Sequence, residues 1–380
     1  MTNESQKKIP HIYFENLDAL RFIAAFSVFI FHFFADIKGL YPQLRDQPFF
    51  DKLQIFADKG SLGVNFFFVL SGFLITYLIL HEKKYTRRFN LGKFLIRRTL
   101  RIWPLYFLVI LIGFVLFPLL FSDYHTTHDP RMYVLFLANF DEIIHGAHDP
   151  INFLTAPWSI AVEEQFYLFW GISLFLLFRI RQFKIMHLIV LMYVISFIFR
   201  YLYMDHERIL YYHTLAVCQD ILSGAFIGLA LFHKKKWLDT LKKIKQPWVI
   251  LIYCIGLTLC LAKNKIFSHE LIVLERLVLS AFFAFVILDQ VRGEHSFFKF
   301  GKIKLFNYLG KISYGLYMYH LIVMYLLLRW LPDFEASNYA MIPIYFISSL
   351  SIIILVASMS YYMIERPLLR LKPKSLNKKL

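Results

Sequence analysis

Apolar runs long enough to cross a lipid bilayer recur along the whole chain. A helix needs about twenty residues to cross the hydrocarbon layer, and windows of that length detect about ten candidate spans. They lie near residues 17–37, 62–81, 100–121, 158–178, 185–204, 212–232, 247–263, 270–290, 312–331 and 340–364. The pattern predicts an all-α protein, a polytopic membrane helix bundle of about ten transmembrane helices.

Charge alternates from one connecting segment to the next. The basic segments are the N-terminus, 82–99, 179–184, 233–246, 291–311 and the C-terminal tail. The other segments are balanced, acidic or short, and they are 38–61, 122–157, 205–211, 264–269 and 332–339. Because Lys and Arg near span ends are retained on the cytoplasmic side, both termini are predicted to be cytoplasmic.

This arrangement predicts a single integral-membrane domain over residues 1–380, with cytoplasmic tails at 1–14 and 368–380. No stretch outside the predicted spans is long enough to form a separate catalytic domain. Any chemistry is therefore expected within the bundle. A multi-pass protein of the cell membrane, inner or plasma, is the predicted localisation.

Composition excludes two other classes of function. The chain of 380 residues is 58% hydrophobic and carries a formal charge of +16, but its basic residues lie in short blocks between apolar runs, so we reject nucleic-acid binding. Cys218, Cys254 and Cys260 all lie within apolar runs without metal or disulfide spacing. They are interpreted as small core residues, and redox chemistry is not expected.

The first span contains two ionisable residues, Arg21 and His32. Eleven steps of about 100° return a helix to nearly the same face, about 16 Å further along its axis. Charged groups within a membrane helix are a functional hypothesis by default, because lipid offers them no partner. The alternative is an interfacial arginine together with a hydrogen-bonded core histidine.

The entrance of the fourth span contains Trp158, Ser159, Glu163 and Glu164. The predicted topology places Glu163 slightly more than one turn below the outer interface, at a depth similar to that of His32. A carboxylate here could instead be tolerated by the helix dipole in a wet interface. In the second span, Ser71-Gly72 would let another helix approach closely.

A cluster of arginines precedes the third span. Arg97 and Arg101 lie one turn apart, with Arg98 between them. Guanidinium forks suit phosphates, so a polyanionic cytosolic ligand could dock at this mouth of the bundle. The alternative is ordinary topology-determining charge.

Three further signals are weaker. Asp220 lies near the middle of the sixth span, where an acid must face the interior or a partner. His320 lies about 12 Å into the ninth span, where a satisfied core histidine is the simpler interpretation. In the segment 122–157, the loop motif His-x-x-His-Asp-Pro occurs twice, with histidines at His125, His128, His145 and His148. This pattern has low specificity for zinc, and no metal site is predicted.

Together these residues resemble acyltransferase family 3, the integral-membrane O-acyltransferases that modify surface polysaccharides and other extracytoplasmic acceptors. The resemblance covers nearly the whole chain, and the matching pieces are Leu17 to Arg21 with His32, Gly63 to Ile75, Arg97 to Ile102, Trp158 to Tyr167, and Ile312 to His320. Three positions depart from the family pattern. The family commonly has glycine where this chain has Ala19 and Phe22, and Asp where it has Asn65, a change that we attribute to local packing.

The resemblance implies an enzyme that moves an acyl group, most simply acetyl, from cytoplasmic acyl-coenzyme A to a hydroxyl of an extracytoplasmic glycan. His32 would be the general base with Arg21 as its partner and Glu163 as a candidate to orient it. Arg97, Arg98 and Arg101 would bind the donor. Supporting positions are Asp18, Ser71, Trp158, Ser159, Asp220, Tyr314 and His320. Acyl-coenzyme A would be a co-substrate, with no permanently bound cofactor and with membrane lipid as surroundings.

A transporter or flippase of a glycan or lipid-linked sugar remains the alternative, because buried charges can equally form a substrate or proton path. The sequence shows no clear inverted repeat that would favour it.

Overall fold

The computed structural model describes residues 12–41, 44, 48–145, 153–180, 184–330, 339 and 341–373. Within these residues the chain forms helices and connecting segments, and no β-strand. The prediction of an all-α bundle is confirmed. The cytoplasmic location of both termini remains a prediction, since residues 1–11 and 374–380 lie outside the described residues.

Ten long helices correspond one by one to the predicted spans. They are α1 (Glu15–Leu40), α2 (Leu62–Thr86), α3 (Leu91–Leu111), α4 (Pro157–Leu177), α5 (Ile185–Leu202), α6 (Thr214–Phe232), α7 (Gln246–Ile266), α8 (Ile272–Arg292), α9 (Ser313–Trp330) and α10 (Met341–Ser360).

Shorter helical segments extend or connect these spans. They are Pro48–Ala57, Asp58–Ser61, Ile112–Leu116, Phe117–Leu120, Pro130–Val134, Ala138–His145, Phe153–Thr155, Glu207–Tyr212, Trp237–Lys242, His269–Leu271, Phe300–Lys302, Lys304–Lys311, Tyr361–Glu365 and Arg366–Arg370. The segments Ile112–Leu116 and Tyr361–Glu365 are π-helical.

The ninth predicted span differs from the others. Nine helices among the described residues are long and apolar enough to span a membrane by themselves, and Lys304–Lys311 with α9 forms a bent pair, at 71°, that would make ten. Gly310 lies just before this bend, and a Cβ there would come within 1.8 Å of the Asp18 carbonyl oxygen. Lys304–Lys311 thus packs directly on the backbone of α1, close to Arg21.

Helices α2 and α6 form the centre of the bundle. A Cβ on Gly72 would meet the Ile221 carbonyl oxygen at 1.8 Å, and a Cβ on Gly224 would meet the Val69 carbonyl oxygen at the same distance. The close approach expected from Ser71-Gly72 is therefore present. The span containing α6 is also the most enclosed, with 83% of its apolar window buried, against 17% for α5 and α7, which lie at the periphery.

Candidate active site

A cavity of about 110 Å³ lies among α1, α2, α3, α4 and α9. Seven of the residues proposed from the sequence line it, and they are Arg21, Ser71, Arg98, Arg101, Ser159, Glu163 and Tyr314. We call this space the arginine cavity, after Arg21, Arg98 and Arg101. Side chains from five helices that are distant in sequence thus converge on one space.

Arginines form one end of this cavity. Arg21 forms an ion pair with Asp18, one turn earlier on α1, and Asp18 also accepts a hydrogen bond from Tyr13 at 2.8 Å. The Nε of Arg98 is buried and has no hydrogen-bond partner among the described residues. A desolvated N–H of a guanidinium without a partner is costly, so this end of the cavity is suited to an anion.

Arg97 differs from its two neighbours. It forms an ion pair with Glu82 of α2 and does not line the cavity. The sequence grouped Arg97 with Arg98 and Arg101, but the structure brings only the latter two into the cavity. Any donor-binding role of Arg97 stays a prediction.

Glu163 belongs to a hydrogen-bonded chain on the cavity wall. The hydroxyl of Tyr167, one turn further along α4, donates to the Glu163 carboxylate at 2.5 Å. The same hydroxyl also hydrogen-bonds the Ser71 hydroxyl of α2. Glu163 is therefore held by Tyr167, and no hydrogen bond joins it to His32 in the described part of the chain.

Two more tyrosines come from α9. The Tyr314 hydroxyl donates to the Ile102 carbonyl oxygen at 2.8 Å. The Tyr317 hydroxyl lies 2.7 Å from the Ser159 hydroxyl and donates to the Ala156 carbonyl oxygen at 3.1 Å. These bonds attach α9 to the entrance of α4.

His32 and His320 form a pair of rings beyond this wall. Their centroids are 5.1 Å apart, and His320 also contacts the ring of Tyr317 at 5.8 Å. Nδ1 of His320 lies 2.5 Å from the Tyr317 carbonyl oxygen. A carbonyl can only accept, so Nδ1 carries the proton and Nε2 presents a lone pair. That Nε2 atom is buried without a partner.

Neither histidine is among the residues that line the arginine cavity. Tyr317 lines the cavity and contacts His320, so the pair lies one side chain away from it. Arg21 and His32 do share α1, as predicted, but only Arg21 borders the cavity itself.

Two further residues that the sequence predicted as supporting, Asp220 and Trp158, also lie outside the arginine cavity. Asp220 is buried against Arg276 and accepts a hydrogen bond from the Asn65 amide at 3.0 Å, so it has found a partner as an acid in a span must. Trp158 packs its ring against Phe68 and Tyr211, at 5.9 and 5.3 Å, and does not line the arginine cavity.

Sequence reasoning did not select Tyr167 or Tyr317 as site residues. Both could have been found from helical spacing. Tyr167 is four residues after Glu163, and Tyr317 lies between Tyr314 and His320 at three-residue intervals. Such intervals place side chains on one helix face.

His128 and His145 of the repeated loop motif belong to a polar cluster outside the spans. Asp141 accepts hydrogen bonds from His128, from His145 at 2.7 Å and from the backbone N–H of Asp129 at 3.1 Å. Burial opposes ionisation of Asp141, but these donors hold its pKa below the usual range. Burial raises the pKa of the adjacent Glu142 to about 7.

No group of three or more metal-ligating side chains with suitable geometry occurs in the described ranges. His148, the last histidine of the repeated motif, lies outside them. The cluster around Asp141 is therefore explained by hydrogen bonds from its own histidines.

Comparison with known sequences adds independent information. Residues 14–362 match the profile of a family described as an acyltransferase domain. A protein of Staphylococcus aureus strain COL, named "Putative O-acetyltransferase", is 28% identical over 385 residues, covering 96% of this chain and 59% of its own length. The O-acetyltransferase OatA of strain NCTC 8325 is 27% identical over 382 residues, covering 94% of this chain and 57% of its own length.

The chain thus spans somewhat more than half the length of these curated relatives. No solved structure matches it.

Proposed function

Because the chain belongs to the acyltransferase family that this domain defines, we propose that it transfers an acyl group, most simply acetyl, from cytoplasmic acyl-coenzyme A to a hydroxyl of an extracytoplasmic glycan. The names of the relatives support O-acetyl transfer. The single observation that carries the proposal is the arginine cavity, which has three arginines in its lining and shares the wall residue Tyr317 with the histidine pair.

The donor's phosphates would bind at the arginine end. Arg98 and Arg101 offer planar guanidinium groups, which make bidentate, charge-assisted hydrogen bonds to phosphate oxygens. Arg98 has a buried N–H that no described residue uses. The flexible arm of coenzyme A would then carry its thioester along the cavity, towards Ser159 and Tyr317.

His32 would act as general base beside the cavity wall that Tyr317 forms. The acceptor hydroxyl gives its proton to the imidazole while its oxygen attacks the thioester carbonyl. The new C–O bond forms, the C–S bond breaks, and the coenzyme A thiolate leaves and takes up a proton. A general base positioned in this way contributes typically about 10²–10⁴-fold.

His320 is suited to position His32. Its Nε2 lone pair is buried, unpartnered and part of a ring 5.1 Å from the His32 ring. A hydrogen bond from an N–H of His32 to this lone pair would leave the other nitrogen of His32 free to accept the hydroxyl proton.

The test uses membranes that contain the full chain. Radiolabelled acetyl-coenzyme A is supplied, and labelled acetyl groups in the glycan fraction are measured, with movement of unmodified glycan across the membrane followed separately. We expect glycan acetylation that depends on the protein. Glycan movement without any acetylated product would establish the transporter alternative instead.

A further inference from the structure

A second and larger cavity, of about 600 Å³, lies apart from the arginine cavity. It is bounded by the ends of α5 and α7, by the start of α8, and by the segments that follow α5 and α7. The sequence places both of these segments outside the cell. We call it the mixed-charge cavity because its lining includes three cations and three anions, Arg200, Lys263, Arg276, Asp205, Glu207 and Glu275.

Its charges are largely balanced by each other. Glu275 pairs with Lys263 at 3.2 Å and lies 4.0 Å from Arg200. Arg200 also donates to the carbonyl oxygens of Ile272, Val273 and Ala216. A ligand as highly charged as coenzyme A would meet carboxylates here as often as cations, so this cavity does not suit the donor.

Arg276 is a buried cation in the lining of the mixed-charge cavity. It is 6% exposed and makes one hydrogen bond within the described part of the chain, from Nη1 to Asp220. Asn65, 8% exposed, lines the same wall and is fixed by its own bond to Asp220. Arg276 and Asn65 thus bring hydrogen-bonding side chains to a roomy cavity, which suits a ligand that carries hydroxyl groups.

The mixed-charge cavity adjoins the candidate active site. Tyr211 lines it, and the Tyr211 ring packs at 5.3 Å on Trp158, whose neighbour Ser159 lines the arginine cavity. On α2, Asn65 borders one cavity and Val64 the other. The linings of the two cavities are therefore connected through the contact between Tyr211 and Trp158 and through adjacent residues of α2.

Helix α1 contacts a segment that borders the mixed-charge cavity. A Cβ on Gly60 would come within 2.9 Å of the Phe31 Cβ, so α1 packs closely against Asp58–Ser61. Ser61 lines the mixed-charge cavity. On the side of the arginine cavity, His32 contacts His320, which contacts Tyr317 of the cavity wall.

We propose that the mixed-charge cavity binds the acceptor, as a nearly neutral carbohydrate segment of one or two sugar rings, with Arg276 and Asn65 as hydrogen-bonding residues and Tyr211 as an aromatic contact. This inference rests on the proposed function. Polar side chains of both signs can donate to and accept from sugar hydroxyls, and a volume of this order suits a small ligand. The acceptor hydroxyl would reach the thioester past Tyr211 and Trp158, where His32 removes its proton and the new ester bond forms.

The experiment fills the cavity after the protein has folded. Ser268 is exposed and lines the cavity, whereas Glu270, two residues later in the same segment, is exposed and does not. Ser268→Cys and the matched control Glu270→Cys are made in a Cys254→Ser background, since Cys218 and Cys260 are buried. Intact cells are treated with a membrane-impermeant maleimide, and membranes are then assayed for acetyl transfer to glycan and for coenzyme A binding.

We expect labelled Ser268→Cys to lose at least about tenfold in transfer, because a group filling the cavity displaces the acceptor. Its coenzyme A binding should be unchanged, and labelled Glu270→Cys should resemble the unlabelled parent. Equal transfer by both labelled variants, loss of coenzyme A binding, or failure of the maleimide to reach Ser268→Cys would each overturn the acceptor site. Absence of transfer in the unlabelled parent would instead overturn the proposed function.

Discussion

At the scale of single residues, the pair formed by His32 and His320 is the most informative feature. The sequence predicted His32 as the base and treated His320 as a core histidine. The structure places the two rings in contact and leaves a buried lone pair on His320. A histidine that only filled space would not need an unpaired nitrogen beside another histidine, since unpaired buried acceptors are destabilising.

We expect His32→Gln to lower acetyl transfer at least about 100-fold while coenzyme A binding and folded yield persist, because glutamine keeps hydrogen bonding but cannot accept the proton. Initial rates with radiolabelled acetyl-coenzyme A measure this. His233→Gln, at the end of α6, is the matched control and should retain parental rates. A rate for His32→Gln within about threefold of the parent would exclude His32 as the base.

A second residue-scale prediction concerns Asn65, where the resembling family commonly has Asp. Its amide donates to Asp220, which also pairs with Arg276. Asn65→Asp would place two buried carboxylates side by side, and Asp220→Asn would leave Arg276 without its anion. Each single change should lower stability by about 3 kcal/mol.

The double variant Asn65→Asp with Asp220→Asn restores one carboxylate and one amide, and we expect it to recover most of that loss. Thermal unfolding midpoints in detergent for the four proteins measure the coupling. Strictly additive losses would show that the three groups do not act as a unit.

At the scale of helices and loops, α3 separates arginines that the sequence grouped together. Arg98 and Arg101 line the arginine cavity, whereas Arg97 is paired with Glu82. We expect Arg101→Ala to raise the concentration of acetyl-coenzyme A needed for half-maximal transfer at least about tenfold, the size expected for a lost hydrogen bond to a charged group.

Arg97→Ala is the matched control for Arg101→Ala, and it should change this concentration less than about threefold. Both variants should insert normally, because other basic residues still determine the orientation. Equal effects of the two substitutions would show that the cavity does not select among these arginines.

Glu142, in the loop helix Ala138–His145, should make the stability of the folded protein depend on pH. Glu142 is fully buried, and burial raises its pKa to about 7. Below about pH 4.5 the Glu142 carboxyl is protonated in both the folded and the unfolded state, so its titration does not change stability. As pH rises from about 4.5 to 7 the carboxyl ionises first in the unfolded state, and the folded state is progressively destabilised. The full destabilisation is reached above about pH 7.

Glu142→Gln removes this titration. We expect the variant and the parent to unfold at similar temperatures near pH 4.5, and the variant to be more stable by about 2–3 kcal/mol at pH 8. Glu270→Gln, an exposed carboxylate in another loop, should show no such difference. A Glu142→Gln variant that is less stable than the parent at pH 8 would mean that the carboxylate is ionised and needed.

At the scale of the whole molecule, contacts group the connecting segments in the way that charge alternation predicts. Asn16, at the start of α1, hydrogen-bonds the Gln290 carbonyl oxygen at 2.8 Å and the Gly301 N–H at 3.0 Å, so two basic segments share one end. At the other end Arg329 pairs with Asp123. These contacts join segments that the sequence assigns to the same side.

Which end faces the cytoplasm is a separate prediction. Reporter fusions after residues near 90 and 240 should give cytoplasmic signals, and fusions near 150 and 335 should give external signals. The expected result would place the arginine end inside and the mixed-charge cavity outside. A cytoplasmic signal near 150 or 335 would refute the map and, with it, the assigned directions of donor and acceptor.

The sequence by itself determined the positions of the spans, because the cost of placing a residue in lipid depends on local composition. It also predicted most of the polar side chains that line the arginine cavity. The sequence also predicted the ninth span, but it did not predict the 71° bend that precedes it. The tertiary structure decided which of these groups meet. It placed Arg98 and Arg101 in the cavity and Arg97 on Glu82, joined Glu163 to Tyr167, and set His320 beside His32. These contacts depend on how helices distant in sequence rotate and pack, as where Gly72 of α2 approaches the backbone of α6. No local sequence pattern encodes that rotation.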